Sequence, residues 1–458
     1  MTRSGSVLDE AVARASVTHA AVVERGALAG LPRLVRGLGL KGPFQIVADS
    51  NTMAAAGHAT LAVLREAGLE AHEPLVLTEK PRLKPHAETA REVAAALRQG
   101  GAFPLAVGSG VINDITKYAA ELAGLGYVSI ATAASMDGYA ASGGAMLDSG
   151  FKRTLACAPP LAVLADLDLI ARAPERMAPW GYGDLAGKIV AGLDWVLADA
   201  LGEEAIDKAV FSLVQDHIRD WLSQPARLAE GREDALRRLI EGLLICGFAM
   251  QAYGNSRPAS GSEHQISHCW EMEKLALAGE PVAHGACVGV GTVAMLGLYE
   301  WFLRQDIPAR VRACRELPPS DPAALEEEVR LAFPDPALAA AARAEVMAKH
   351  QRAGRRGERL DALALTWTAL QARLQSSIVP ARVMKQWLGA AQAACDPAQL
   401  GVTLDKLARD CRRARLIRRR YTLLDLLDEL GWLDRAIHEV CRPQAGLWEM
   451  PQRPALIG

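Results

Sequence analysis

Short apolar runs, separated by helix-length stretches, fill the first third of this chain and restrict it to one class of fold. Phe44–Ala48 reads as a strand ending at Asp49, Leu75–Leu77 as a second, Leu105–Val107 as a third and Tyr127–Ala131 as a fourth. Between them, Thr52–Ala67 and Ala87–Arg98 read as helices, stopped by Gly68 and by Gly100-Gly101. A third helix follows Gly108-Ser109-Gly110 and runs to about Leu122. Strands that alternate with helices imply a parallel sheet covered on both faces. The strand signal returns at Leu161–Ala165, closing with Asp166. From about Ala178 onward, apolar residues recur at helical spacing with few β-branched runs, and Pro318–Pro322 and Pro334–Pro336 mark turns between helices. The division therefore falls within Leu167–Pro174: an α/β domain over residues 1–168, then an all-helical domain over residues 169–458.

A chain of 458 residues is long enough for two such domains. It is 50% hydrophobic with a formal net charge of −2, which fits a globular protein and gives no reason to expect a nucleic-acid or membrane-surface binder. The basic run Arg412–Arg420 has apolar residues at helical spacing on either side and reads as a solvated or subunit-facing helix face. The 8 cysteines form no C-x-x-C pair, as expected of a reduced, cytoplasmic protein. Asp9 and Glu10 interrupt the N-terminus, so no signal peptide is expected. Gly285–Tyr299, the most apolar stretch, is Gly-rich and shorter than roughly 20 residues, so it reads as a buried helix and not a membrane span.

Gly108-Ser109-Gly110 joins a strand to a helix. Such a turn lets the backbone approach a pyrophosphate, and the N–H groups at the helix start hold the negative charge. The spacing is not G-x-G-x-x-G, because Asn113 stands at the last position, and a plain tight turn is the alternative. Asp49 can accept hydrogen bonds from adenosine ribose hydroxyls, or it can simply cap a helix. A carboxylate there leans towards NAD over NADP by repelling a ribose phosphate. The loop Thr132-Ala133-Ala134-Ser135-Met136-Asp137-Gly138 follows the fourth strand, at the edge where Rossmann-like sheets carry ligands. Its hydroxyls can bond a nicotinamide or phosphates and Asp137 a substrate hydroxyl; turn chemistry explains the same residues.

Three segments of the helical half carry metal-type donors. Asp184 follows Trp180-Gly181-Tyr182-Gly183; His264 and His268 stand at i and i+4 on one helical face; His284 precedes an apolar helix. One carboxylate with two or three imidazoles suits zinc, nickel or iron and leaves a coordination position open. A metal there polarises an alcohol or carbonyl oxygen and eases hydride transfer. Gln265 follows His264, so the zinc-peptidase pattern H-E-x-x-H and its base are missing. Spacing alone does not bring Asp184 to the histidines.

Taken in order, Gly108-Ser109-Gly110-Val111-Ile112-Asn113-Asp114, Ser135-Met136-Asp137-Gly138-Tyr139, Gly183-Asp184, Glu263-His264-x-x-x-His268 and His284-Gly285 resemble the glycerol-1-phosphate dehydrogenases. These belong to the wider iron-containing alcohol dehydrogenase and glycerol dehydrogenase group, alongside the dehydroquinate synthase fold. The resemblance runs from about Phe44 to Thr292, and Arg418-Arg419-Arg420-Tyr421-Thr422-Leu423-Leu424-Asp425 resembles the tail of the bacterial branch. It implies metal ligands at Asp184, His264 and His284. Substrate contacts are implied from Asp137, Asp184 and His268, with His268 in a catalytic role. NAD(P) contacts are implied at Asp49, at Gly108–Asp114, at Thr132, Ala133, Ala134 and Ser135, and at the serine after the Asp-Gly-Tyr step. Here Ala140-Ala141 displace that serine to Ser142.

The activity implied is reversible reduction of dihydroxyacetone phosphate to sn-glycerol-1-phosphate with NADH or NADPH, with zinc or nickel, by a homodimer. Lys117, Arg257, Ser256, Ser260 and Ser262 are candidates for the substrate phosphate. Two other activities suit the same fold: a glycerol or polyol dehydrogenase, and a sugar-phosphate cyclase that recycles NAD. The segment from about Arg304 to Gln399 matches no pattern.

Overall fold

The computed structural model describes residues 6–79, 83–148, 151–315, 321–350, 355–442 and 446–448. It divides into two compact units: residues 1–181 with 212–256, and residues 182–211 with 257–458. The first is thus not the contiguous segment 1–168 expected from sequence, because helices within 212–256 return to it.

The first unit is built on a six-stranded parallel sheet in the order β1-β8-β5-β4-β2-β3. Its strands are β1 (Ala20–Glu24), β2 (Phe44–Asp49), β3 (Leu75–Leu77), β4 (Phe103–Gly108), β5 (Val128–Ala131) and β8 (Ala162–Asp166). All five expected strands are present. β1 was missed, as was an antiparallel hairpin of β6 (Gly144–Asp148) and β7 (Phe151–Leu155). Strand residues alternate between the faces: Ile46 joins a core with Leu31, Val35, Leu105 and Ile130, while Val47 joins Ala90, Val93, Leu97 and Ile115 on the opposite side. Burial on both faces is why these strands read as continuous apolar runs.

Helices α1 (Val7–Arg14), α2 (Ala87–Gly100) and α3 (Gly110–Ala123) belong to this unit. The expected helix at 52–67 is present as Ser50–Thr52 and His58–Glu66, joined by a π-turn at Met53–Gly57. From β2 the chain moves outward to β3, then crosses to β4 on the other side of β2. The sheet order therefore reverses between β2 and β4, the kind of crevice where such sheets bind ligands. Val47 pairs with Ala106, so Asp49 and Gly108 end their strands at the same level.

Among the described residues the second unit is helical, as expected, apart from one two-stranded ribbon, β9 (Ala276–Leu277) with β10 (Glu280–Pro281). The ribbon links α5 (Ser262–Met272) to α6 (His284–Leu303); the long helix α4 (Met177–Ala200) enters this unit at Tyr182. By length and composition α6 is long and apolar enough to cross a membrane, but 94% of its apolar window is buried within the protein. Its apolar character all round is that of a core helix. The basic run is solvated only in part: Arg418 and Arg419 are exposed, Arg413 and Arg415 are buried, and Arg412, Arg413, Arg415 and Arg419 pair with Asp434, Glu273, Glu328 and Glu345.

Candidate metal centre and nucleotide turn

Glycines decide how closely the helices of the second unit approach. A Cβ built on Gly183 of α4 would lie 2.3 Å from the Gly285 carbonyl oxygen on α6. On Gly291 it would lie 2.7 Å from the Glu263 oxygen of α5. Only glycine permits these backbone contacts. Because Asp184 follows Gly183 and His284 precedes Gly285, the contact that joins α4 to α6 also brings these two side chains together. His264 comes from α5, which packs on α6.

The carboxylate of Asp184 is fully buried, and its Oδ1 lies 3.4 Å from His264 Nε2. The His264 and His284 ring centroids are 5.3 Å apart. One donor atom from each of Asp184, His264 and His284 lies within 4.8 Å of the others, so the structure brings together all three expected ligands. His268 stacks on His284 with centroids 6.0 Å apart, and one donor atom from each of His268, Glu271 and His284 also lies within 4.8 Å of the others.

The surroundings fix which nitrogens are available. His264 Nδ1 is 2.6 Å from Glu263 Oε1, and His284 Nδ1 is bonded to Glu271 Oε1. An imidazole whose Nδ1–H is held by a carboxylate presents the Nε2 lone pair, the usual support of a metal-ligating histidine. The donor set and its supports thus suit a divalent metal. His268 is held the other way: Arg418 Nη2 lies 3.5 Å from its Nδ1. A guanidinium only donates, so Nδ1 accepts and the proton resides on Nε2.

Charge follows the same pattern. Burial pushes the Asp184 carboxyl up, but the Lys188 ammonium at 2.6 Å and the two histidines outweigh it and hold the group far below the usual carboxylate range. Burial and Lys188 push His264 down; hydrogen bonds to Asp184 and Glu263 more than offset them and raise it to about 8. Burial and then Arg418 hold His268 well below the ordinary imidazole value.

In the first unit, Ser109 caps α3, and its Oγ is 2.9 Å from Ser135 Oγ, so the turn and the loop after β5 meet. Asp49 Oδ1 accepts from Thr52 N at 2.8 Å, so this residue is a helix cap whatever else it does. Thr132, Ala133 and Ala134 are buried, Ser135 and Asp137 half-buried, and Ser142 exposed. Within Gly110–Asp114 two side chains are turned into the protein. Ile112 is buried, and Asn113 accepts from Ser129 Oγ at 3.0 Å while its backbone N–H donates to Ser109 O. The backbone N–H groups of Gly110, Val111 and Ile112 are the ones that the start of α3 leaves without intrahelical partners.

The phosphate candidates require correction. Lys117 is buried and donates to the carbonyls of Gly138, Ala141 and Gly143 at 3.0, 2.9 and 3.0 Å. Arg257 is buried, bonded to the carbonyls of Asp194 and Tyr421 and 3.4 Å from Glu204. Ser262 is buried and donates to Asp194. Ser260 is buried and its carbonyl accepts from Arg420, while Ser256 is exposed. Sequence reasoning also passed over Lys188, Glu271, Asp194 and Arg418. Lys188 stands at i+4 from Asp184 and Glu271 at i+3 from His268, spacings that share a helix face and were open to being read.

The sequence of residues 22–174 matches the model of the family described as iron-containing alcohol dehydrogenase. Glycerol dehydrogenase from Schizosaccharomyces pombe superposes with a TM-score of 0.59, covering 96% of each chain at 16% identity. Maleylacetate reductase from Rhizobium sp. superposes at 0.56, covering 93% of this chain and 98% of that one at 16% identity. The fold is therefore that of the iron-containing alcohol dehydrogenases. Glycerol-1-phosphate dehydrogenase [NAD(P)+] of Halalkalibacterium halodurans is 35% identical over 286 residues, 62% of this chain and 71% of that one. Its counterpart in Methanothermobacter thermautotrophicus is 31% identical over 290 residues, 63% of this chain and 80% of that one. The chain belongs to the glycerol-1-phosphate dehydrogenase family.

Proposed function

We propose that this protein is a metal-dependent NAD(P)-linked oxidoreductase that interconverts dihydroxyacetone phosphate and sn-glycerol-1-phosphate. The observation that carries the reading is the convergence of Asp184, His264 and His284, with both histidine Nδ1 atoms held by glutamates. Those three residues would hold one zinc, nickel or iron ion. When bound, the ion supplies Lewis acidity towards the substrate's carbonyl oxygen, and the nicotinamide supplies hydride.

The remaining work falls to the chain itself. Glu263 and Glu271 keep the imidazoles in the ligating tautomer. Lys188 offsets the buried charge of Asp184. His268, with its proton on Nε2, donates a hydrogen bond to a substrate hydroxyl, and Asp137 accepts one. In the first unit, the N–H groups of Gly110–Ile112 and the α3 dipole serve the pyrophosphate, Asp49 the ribose and Thr132–Ser135 the nicotinamide half. The side chains of Ile112 and Asn113 have no part in it, and exposed Ser142 joins the contacts only as an edge residue. All 8 cysteines are free and buried, which supports the cytoplasm as the location. A homodimer completes the reading and is checked by light scattering.

Oxidation of NADH and NADPH by the purified protein tests it, with dihydroxyacetone phosphate against dihydroxyacetone, each with and without chelator. We expect turnover only with the phosphorylated ketone, abolished by chelator and restored by zinc or nickel. Turnover confined to dihydroxyacetone moves the protein to the polyol branch. Silence with both ketones, with NAD still bound after purification, favours the cyclase.

A further inference from the structure

We infer that Arg418 recognises the substrate's phosphate; the inference rests on the phosphorylated-ketone reading above. The argument begins with the basic run. Arg412, Arg413, Arg415 and Arg419 are each committed to a carboxylate, and Arg420 donates to the Ser260 carbonyl. Arg418 differs. Among the described residues no carboxylate lies within ion-pair distance of it, although its charge helps to lower the Glu345 carboxyl, and its hydrogen-bond contact is to His268 Nδ1. An exposed arginine that lies against an imidazole, not an acid, is set apart from structural ion pairs.

Its position fits the chemistry. His268 stacks on His284, so Arg418 stands one imidazole beyond the metal centre, about the span of a short carbon chain. The acids Asp184, Glu263 and Glu271 crowd the near side and would repel a phosphate dianion there. Two other cations of this unit are already bonded: Lys188 to Asp184 and Arg257 to two carbonyls. Arg418 offers a planar fork of donors matched to a phosphate. The same contact holds His268 in the tautomer that serves the substrate, so one residue binds the phosphate end and orients the group beside the carbonyl end.

The test uses the zinc-loaded full chain and its Arg418→Ala, Arg418→Lys and Arg419→Ala variants. In Arg418→Ala we expect the KM for dihydroxyacetone phosphate to rise by about 10- to 100-fold with zinc content unchanged. The preference for that ketone over dihydroxyacetone should collapse in parallel. Arg418→Lys should recover part of the loss, and Arg419→Ala, whose target is paired with Glu345, should behave as wild type. Binding of inorganic phosphate by calorimetry gives a readout that does not need turnover: it should be lost in Arg418→Ala only. An active wild type whose Arg418→Ala variant keeps its KM overturns the inference and leaves the proposed activity standing. An inactive wild type that still binds phosphate through Arg418 overturns the activity and leaves the phosphate site. Phosphate binding indifferent to Arg418 overturns the inference in either case.

Discussion

Replacing Gly183 with alanine should damage the metal centre without touching a ligand. The new Cβ would sit 2.3 Å from the Gly285 carbonyl oxygen and 3.1 Å from its carbon, where ordinary contact begins at 3.4 Å. Both atoms are backbone, so no side chain can swing aside. Nor is α6 free to retreat: a Cβ on its Gly289 would already lie 2.7 Å from the Ala394 oxygen. Relief therefore requires α4 and α6 to separate by about 1 Å, while ligand distances tolerate only about 0.2 Å. Overpacking of this kind costs about 1–3 kcal/mol of stability. Displacing Asp184 from His284 should weaken zinc binding by at least about 10–100-fold, the loss typical of disturbed ligand support.

Competition with a chromophoric chelator measures the affinity, and denaturant unfolding of the chelated protein measures the fold. Gly389→Ala is the control, because the nearest atom to its Cβ is Cys395 Sγ at 4.0 Å. We expect that variant to bind zinc as wild type does. If Gly183→Ala also kept wild-type affinity, the claim that backbone contact between α4 and α6 sets the ligand spacing would be wrong.

Glu271→Ala removes the acceptor that holds His284 Nδ1 and should lower zinc affinity about 10–100-fold; unchanged chelator competition would refute the tautomer argument. Asp194→Ala leaves Ser262 N and Oγ, Tyr299 Oη and Leu423 N without the acceptor they reach at 2.7, 2.7, 2.7 and 3.0 Å. It should cost at least about 3 kcal/mol in denaturant unfolding, and a loss under about 1 kcal/mol would mean those donors find other partners. Burial raises the Glu273 carboxyl, but hydrogen bonds from Lys406 and Arg413 overcome this and leave it below 4.5. A depressed carboxyl contributes stability that is present above the unfolded value and lost as pH falls through the folded one. The deficit of Glu273→Gln, about 1 kcal/mol at pH 7, should therefore shrink once the pH drops below 4.5; a deficit independent of pH would refute the pairing.

What sequence revealed here depended on how local each signal is. The strands β2, β4 and β5 were legible because burial on both faces forces unbroken apolar runs. β1 was not: Ala20–Glu24 is half-exposed over much of its length and, among the described residues, pairs with β8 alone, far along the chain. His264 and His268 declare their shared face by spacing four apart. That Asp184 meets them could not be read, because the meeting is made by Gly183 against Gly285, and a glycine's neighbours across space leave no mark on its own segment. Lys117 misled for the opposite reason. Its charge suggested a ligand, but three carbonyls of the loop after β5 consume it.

The charges around the centre explain why phosphate and metal must be handled by separate groups. Of the three acids Asp184, Glu263 and Glu271, Asp184 is bonded to the Lys188 ammonium, while Glu263 and Glu271 hold imidazoles. Burying unbalanced carboxylates is costly unless a cation joins them. Among the described residues Glu263 Oε2 is buried without a hydrogen-bond partner, and the acids Asp184 and Glu263 raise His264 to about 8. Such a cluster favours a divalent cation and rejects an anion of equal charge. A substrate carrying a carbonyl at one end and a phosphate at the other is then oriented by the field alone: the carbonyl towards the acid-supported centre, the phosphate towards Arg418 beyond His268. Reversing the polarity at the far end, as in Arg418→Glu, should therefore weaken binding of the phosphorylated ketone more than Arg418→Ala does. Equal losses in the two variants would mean that shape, and not charge, sets the substrate's direction.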